Sequence, residues 1–248
     1  MLQVPPPCVE PTPRRIRVRL AGELVADSDR AQLLVQYGPG ALPTYYLPRD
    51  DVRRDALVDE QVGADGRRRW TVRAGDAEAV GAAWQHEEPL ADMTALAGCV
   101  TFCWRQLEWY EEDERVVVHA RDPHSRVDTL RSSRRVQVVV AGEQVADSAR
   151  PLLLLETSLP IRYYLPFSDV RTDLLHPSDT VSTCPYKGLA RYWSVRVGET
   201  VVPDVAWSYP EPIAENPKIR DLVCFFNERV DLVVDGRSVP RPVSPWSE

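Results

Sequence analysis

The sequence predicts a mainly β protein with short helices, organised as two tandem homologous units. Three observations carry this. Apolar runs of strand length recur between turns containing Gly, Asp or Pro. Proline fills 22 of 248 positions, nearly twice its usual share of ~5%, which disfavours long helices because proline removes a backbone donor. Finally, the same ordered blocks of sequence occur twice.

The duplication reads block by block. AGELVADSDR at 21–30 matches AGEQVADSAR at 141–150 in eight of ten positions, at an offset of 120. TYYLPRDDVRRDAL (44–57) aligns with RYYLPFSDVRTDLL (162–175), RRWTVRAG (68–75) with RYWSVRVG (191–198), and AAWQHEEPLA (82–91) with VAWSYPEPIA (205–214). Four blocks in one order place a first, diverged repeat at 12–118, a connector at 119–134 and a second repeat at 135–243. Each repeat is long enough to bury its own core.

Each element follows from its local pattern. IRVRL (16–20) and VQVVV (136–140) are β-branched runs, each followed by a Gly-containing turn. ELVADS and EQVADS then read as returning hairpin strands. QLLVQY and LLLLET are apolar runs of strand length, and YYLP ends a further strand at its proline. SDVRTDLL predicts one helical turn capped by Ser168. WSVRVG and VVPDVAW read as a strand pair. The best helix signal is Asn216–Phe226, with Asn216 as cap, Pro217 in the first turn, and Ile219, Leu222, Val223 and Phe226 at helical spacing. Its counterpart in the first repeat places Cys99 and Cys103 on one helix face. VDLVVDGRSV closes the second repeat as a hairpin with an Asp-Gly turn.

Composition narrows the function classes. A net charge of −7 disfavours a nucleic-acid partner, since such proteins carry a basic surplus. The N-terminus lacks the basic start and apolar run of a signal peptide. No stretch approaches the ~18 consecutive apolar residues of a membrane span. The five cysteines, Cys8, Cys99, Cys103, Cys184 and Cys224, show no disulfide-framework spacing. A cytoplasmic protein with no membrane partner is expected. Phosphate loops, Rossmann fingerprints, serine-hydrolase elbows and zincin helices are all missing from the sequence. No CxxC pair occurs, so no metal is expected, and no cofactor motif is found.

The repeats differ most between Leu175 and Trp193. The second repeat carries HPSDTVSTCPYKGLARY there; the matching stretch of the first is five residues shorter and lacks CPYKG. Glu156 aligns with Gln36 and Tyr209 with His86. These differences favour the second repeat as holder of the principal site, the alternative being a shortened surface loop. Lys187 before Gly188 predicts a tight turn aiming an ammonium into a concavity, where it would hold an anion or oxyanion; a solvated hairpin lysine is the alternative. Glu156 lies in an apolar strand and is the candidate general base, against exposure at the strand end. Cys184 beside Lys187 is a candidate nucleophile, against a core or loop cysteine. Tyr163, Tyr164, Tyr186, Tyr192, Trp193, Trp207 and Tyr209 form either an aromatic-walled cleft or a sandwich core. Strand alternation aims one of Tyr163 and Tyr164, and one of Tyr192 and Trp193, inward. Arg121 and Arg126 on the connector are candidates to reach this cleft.

The blocks LETSLPIRYYLPFSDVRTDLL, TCPYKGLARYWSV and VAWSYPEPIAENPKIRDLVCFF closely resemble the family called domain of unknown function 427, sometimes labelled nucleotidyltransferase-like. The match spans essentially all of the second repeat, and the first looks like a diverged member. HARDPHSRVDTLRSSRRV resembles the linker of tandem versions. The resemblance implies a fold similar to the β-tent class shared with Mss4-like and methionine sulfoxide reductase B domains. Those relatives carry zinc on paired CxxC motifs, and this sequence has none.

The expectation is two β-tent-like units packed as an intramolecular pseudo-dimer, with a homo-oligomer left open. The site would use Glu156 and Lys187 as catalytic groups. Tyr164, Cys184, Tyr192, Trp207, Tyr209, Arg121 and Arg126 would bind a small-molecule ligand. The function expected is small-molecule binding, with hydrolysis of acyl thioesters or similar carbonyl compounds as its catalytic form. A non-catalytic ligand-binding or interaction module is the alternative.

Overall fold

The structure is a computed structural model that describes residues 6–38, 41–88, 91–244 and 247. Pro89 and Leu90 of the fourth repeated block, and the first five residues of the N-terminal stretch, lie outside the described residues. The chain divides into two compact units, one ending at Asp122 and the other beginning at Pro123. Both are mainly β. Among the described residues no helix is longer than a few 3-10 turns, and none is long and apolar enough to cross a membrane.

The first unit contains β1 (Cys8–Pro11), β2 (Ile16–Leu20), β3 (Glu23–Ser28), β4 (Gln32–Val35), β5 (Thr44–Pro48), β6 (Leu57–Val62), β7 (Arg67–Ala74), β8 (Ala77–His86), β9 (Cys99–Phe102), β10 (Glu108–Glu111) and β11 (Glu114–Val116). The second contains β12 (Val127–Arg131), β13 (Val136–Val140), β14 (Glu143–Ser148), β15 (Leu152–Glu156), β16 (Arg162–Pro166), β17 (Leu175–Cys184), β18 (Gly188–Val197), β19 (Thr200–Ser208), β20 (Leu222–Phe225), β21 (Asp231–Val234) and β22 (Arg237–Val239). Each unit pairs a seven-stranded antiparallel sheet with a four-stranded one. The orders are β1-β4-β5-β9-β8-β7-β6 with β11-β10-β2-β3, and β12-β15-β16-β20-β19-β18-β17 with β14-β13-β21-β22. The repeated sequence blocks therefore fold into repeated topology. β12 falls in the stretch read as a connector, and it pairs with β15 as the edge strand of the second unit's sheet.

Two-residue turns explain several hairpins. Ala21-Gly22, Ala141-Gly142 and Asp235-Gly236 all adopt positive φ, the conformation whose twist matches antiparallel strands. The repeated ADSxR block has a packing role in both copies. Ser28 donates to Asp51 at 2.7 Å and Arg30 pairs with Asp51 at 2.5 Å. Ser148 and Arg150 hold Asp169 in the same way, at 2.7 Å and 2.9 Å. Single bridges Ala26–Val52 and Ala146–Val170 lie beside these anchors, tying the short 3-10 segment to the small sheet.

In the second unit both faces of the large sheet are buried, and strand alternation divides its residues between them. Tyr163, Leu165, Val195, Val205, Val223 and Phe225 pack with Val136, Val138 and Leu232 of the small sheet. Tyr164, Ala190, Trp207, Tyr209, Cys224 and Phe226 face the other way, with Leu152, Leu154 and Ile219. Alternation separates Tyr163 from Tyr164 and Tyr192 from Trp193 as expected, but both of each pair find cover because both faces are covered.

Three local expectations are corrected. The segment Asn216–Phe226 is not a helix: one 3-10 turn, Pro217–Ile219, precedes β20. Asp221 at φ 58 breaks the helical path. Val223 and Phe225 on one face and Cys224 and Phe226 on the other follow a period of two, so pairing with β16 and β19 overrides the apparent helical spacing. Cys99 correspondingly lies on β9, with Cys103 just beyond it, and the two do not share a helix face. Ser168 does not cap a helix. It sits inside the turn Phe167–Asp169, donates to Asp169 and accepts from Arg150.

Candidate functional site

The outer face of the second unit's large sheet holds a buried ion pair. β15 ends at Glu156, where the apolar run stops, and the β17–β18 turn carries Lys187 over the sheet. Lys187 Nζ donates to Glu156 Oε2, and each side chain is 10% exposed. The turn has a backbone reason to exist. Gly188 adopts φ +103, and a Cβ there would stand 3.1 Å from the Glu211 carbonyl oxygen, so only glycine fits without strain. Three contacts strap the turn to the loop after β19: the Ile213 N–H donates to the Lys187 carbonyl (3.2 Å), Asn216 Nδ2 donates to the Tyr186 carbonyl (2.7 Å), and Gly188 bridges to Pro212. The CPYKG and EPIAEN motifs are thus two halves of one cover.

Aromatic rings surround the pair. Trp207 Nε1 donates to the Tyr164 hydroxyl at 3.0 Å, and the two rings meet edge to face. Trp207 also packs on Phe226 with ring centres 4.4 Å apart, and Tyr192 stacks on Phe226 while its hydroxyl bonds Ser182 at 2.9 Å. Burial holds the Tyr164 and Tyr209 hydroxyls well above the ordinary phenol range, with the Glu156 charge adding to the effect. Both therefore stay protonated at neutral pH. Burial likewise raises the Cys184 thiol, more than the neighbouring Lys187 lowers it, and Glu156 adds to the rise. An ammonium paired with a carboxylate offers little net charge to stabilise a thiolate. Cys224 is fully buried, and its thiol is pushed up to about 12 by desolvation.

The structure brings Glu156, Lys187, Cys184, Tyr164 and Tyr209 into one electrostatic neighbourhood, with Tyr192 and Trp207 in its wall. Arg121 and Arg126 are committed elsewhere. Arg121 belongs to the first unit, where Nε donates to the buried Glu111 at 3.0 Å and Nη2 to Glu114 at 3.2 Å. The Arg126 side chain pairs with Asp128 and is 80% exposed, while its backbone N–H donates to Thr157. Sequence reading missed Arg162. This arginine forms a bidentate pair with Glu228 at 2.6 and 2.8 Å, and its guanidinium lies over Trp207 and Phe226. It stiffens the far side of the aromatic wall. Its aligned position in the first repeat is Thr44, so the block alignment did contain the signal.

The matching face of the first unit is arranged differently. Tyr46, Leu34, Leu96 and Cys99 form its apolar patch, with Val9 and Met93 packed against it. The shorter β6–β7 turn carries no lysine across. A cleft of about 600 Å³ is lined, among the described residues, by Asp65, Gly66, Arg67, His86, Glu87, Glu88, Met93 and Leu96.

No curated protein matches the chain. The family model described as a domain of unknown function, DUF427, matches at residues 8–113 and again at 128–236, one match in each unit. With both matches together covering most of its length, this chain is a tandem two-unit member of the domain of unknown function 427 family.

Proposed function

We propose that this protein binds a small molecule at the Glu156–Lys187 pair of the second unit and performs no covalent chemistry there. One observation carries the reading. A buried ammonium with three donors directs one to Glu156, and among the described residues no other side chain takes the remaining two. Buried polar groups are normally satisfied, so a ligand with an acceptor group would complete the set. The tyrosine hydroxyls supply further donors, and Trp207 and Tyr192 supply flat apolar walls. Entry requires the Cys184–Gly188 turn to lift, and that turn is held by the three contacts to the loop after β19.

Two features weigh against hydrolysis. Cys184 is kept as a thiol by burial, and one of the two Glu156 oxygens, Oε2, is already engaged by Lys187. The test is a thermal-shift screen of the full chain against small carboxylates, phosphates and acyl-coenzyme A thioesters, with free-thiol release followed in parallel. A ligand that binds the native state raises the melting temperature by mass action. Stabilisation that disappears in Lys187→Met, with no thiol released, is the expected result. Thiol release abolished by Glu156→Gln would replace this reading with a thioester hydrolase. Stabilisation unchanged in Lys187→Met would move the site away from the pair.

A further inference from the structure

The divergence of the first unit is coherent when its outer face is compared with that of the second. Three sequence differences separate the two units here. The acid of the second unit, Glu156, is replaced by Gln36, and the lysine-bearing turn is gone. Arg67 then stands where the second unit has Ala190, which is buried beneath the cover. Arg67 and His86 are directly opposite each other on β7 and β8, so both are held by the sheet rather than by a loop.

The cleft beside Arg67 and His86 is of ordinary ligand size, about 600 Å³. Its polar groups are set in place. The Tyr46 hydroxyl hydrogen-bonds His86 Nε2 at 3.2 Å, and the Tyr46 ring stacks on the imidazole with centres 6.0 Å apart. Met93 and Leu96 form an apolar floor. The carboxylates at the rim are not equivalent partners for Arg67. Asp65 is held by Arg69 at 2.5 and 2.9 Å, and Glu87 by Arg68 at 3.0 Å. Among the described residues, the carboxylate that pairs with the Arg67 guanidinium is Asp65 at 3.9 Å, a distance at which no hydrogen bond forms. Arg67 thus has a planar set of donors facing the cleft, without an acceptor matched to them.

We propose that the first unit has its own ligand site in this cleft, for a small organic monocarboxylate with a short apolar tail. Arg67 takes the carboxylate in a bidentate pair, His86 donates a ring N–H beside it, and Met93 and Leu96 cover the tail. A singly charged head group fits better than a phosphate dianion, because Arg67 supplies one positive charge and Glu88 lines the same cleft.

The sequence supplies a clean probe, since it contains two methionines, Met1 and Met93. The full chain, labelled with ¹³C at the methionine methyls, is titrated with hexanoate, hexanol and hexyl phosphate, and the Met93 methyl signal is followed by NMR. Hexanoate is expected to shift that signal saturably, at least tenfold more tightly than hexanol or hexyl phosphate. Arg67→Gln is expected to abolish the preference for hexanoate over hexanol. Lys187→Met is expected to leave the titration unchanged, which separates this site from the one in the second unit. The proposal is overturned if the Met93 signal does not saturate with hexanoate, if hexanol shifts it equally, or if Arg67→Gln titrates like the unmodified chain. Backbone amide dispersion of uniformly ¹⁵N-labelled Arg67→Gln, matched to the parent, confirms that the variant is folded.

Discussion

Removing Lys187 alone should damage the second unit far more than removing the whole ion pair. In Lys187→Met the Glu156 carboxylate, 10% exposed in the parent and close enough to Tyr164 and Tyr209 to act on their hydroxyls, is left with no cation to compensate it. Breaking a fully buried pair in this way costs about 3–5 kcal/mol. The residual exposure of both side chains places the expected value near the lower end, about 3 kcal/mol. Glu156→Leu with Lys187→Met removes both charges and leaves apolar groups of similar volume, so the double variant should lie within about 1 kcal/mol of the parent. With Glu156→Leu measured alone as well, the coupling between the two sites follows from the double-mutant cycle. A two-unit chain need not unfold in one step, so the suitable assay is hydrogen exchange of second-unit peptides covering β16 and β20, read by mass spectrometry in rising urea. The reasoning fails if Lys187→Met costs less than about 1 kcal/mol, or if the double variant is as unstable as Lys187→Met.

Three further outcomes follow from the same geometry. Gly188→Ala forces a side chain toward the Glu211 carbonyl oxygen at 3.1 Å in a backbone at φ +103; the expected loss is about 1–3 kcal/mol, and exchange should rise first at residues 184–188, whereas a silent substitution would contradict the strapped turn. In the second unit, the Arg150 and Ser148 hydrogen bonds hold the Asp169 carboxyl down at about 2, against 3.8 for an unperturbed group. A lowered carboxyl stabilises the fold above its unfolded value and loses that contribution as pH falls through the folded one. Asp169→Asn should therefore be about 1 kcal/mol less stable than the parent at pH 7, with the gap closing between pH 4 and pH 2; a gap independent of pH would count against the ion pair. In the first unit, burial and then the Arg67 charge lower the His86 imidazole below 6.5, so NMR titration should show it neutral at pH 7. Arg67→Gln should raise its midpoint, and an unchanged midpoint would place the guanidinium away from the ring.

The divergent insert was legible in the sequence because duplication supplies an internal control. Where AGExVADSxR, YYLP and AW recur unchanged, the structure uses them for hairpin turns, sheet pairing and the Ser–Asp–Arg anchors. Where the copies differ, at CPYKG, Glu156/Gln36 and Tyr209/His86, the two outer faces differ as well. The pairing of Glu156 with Lys187 was not legible. The two residues are 31 positions apart and meet only because β17 and β18 fold the turn back across the sheet. Arg121 and Arg126 looked available only because Glu111, Glu114 and Asp128 could not be seen as their partners.

By itself the sequence determined the β class, the two-unit organisation and most strand positions. Those rest on local information: alternation along a strand, positive-φ turns and the comparison of one copy with the other. Only the tertiary structure decided that Asn216–Phe226 is a turn and a strand. Its apolar residues satisfy both periods over so short a stretch, and the free edges of β16 and β19 supply the backbone partners a helix would not need. The tertiary structure also decided which charges are paired with which. The partners of Lys187 and Arg162 lie 31 and 66 positions away and are brought to them by the sheet, which no local pattern encodes.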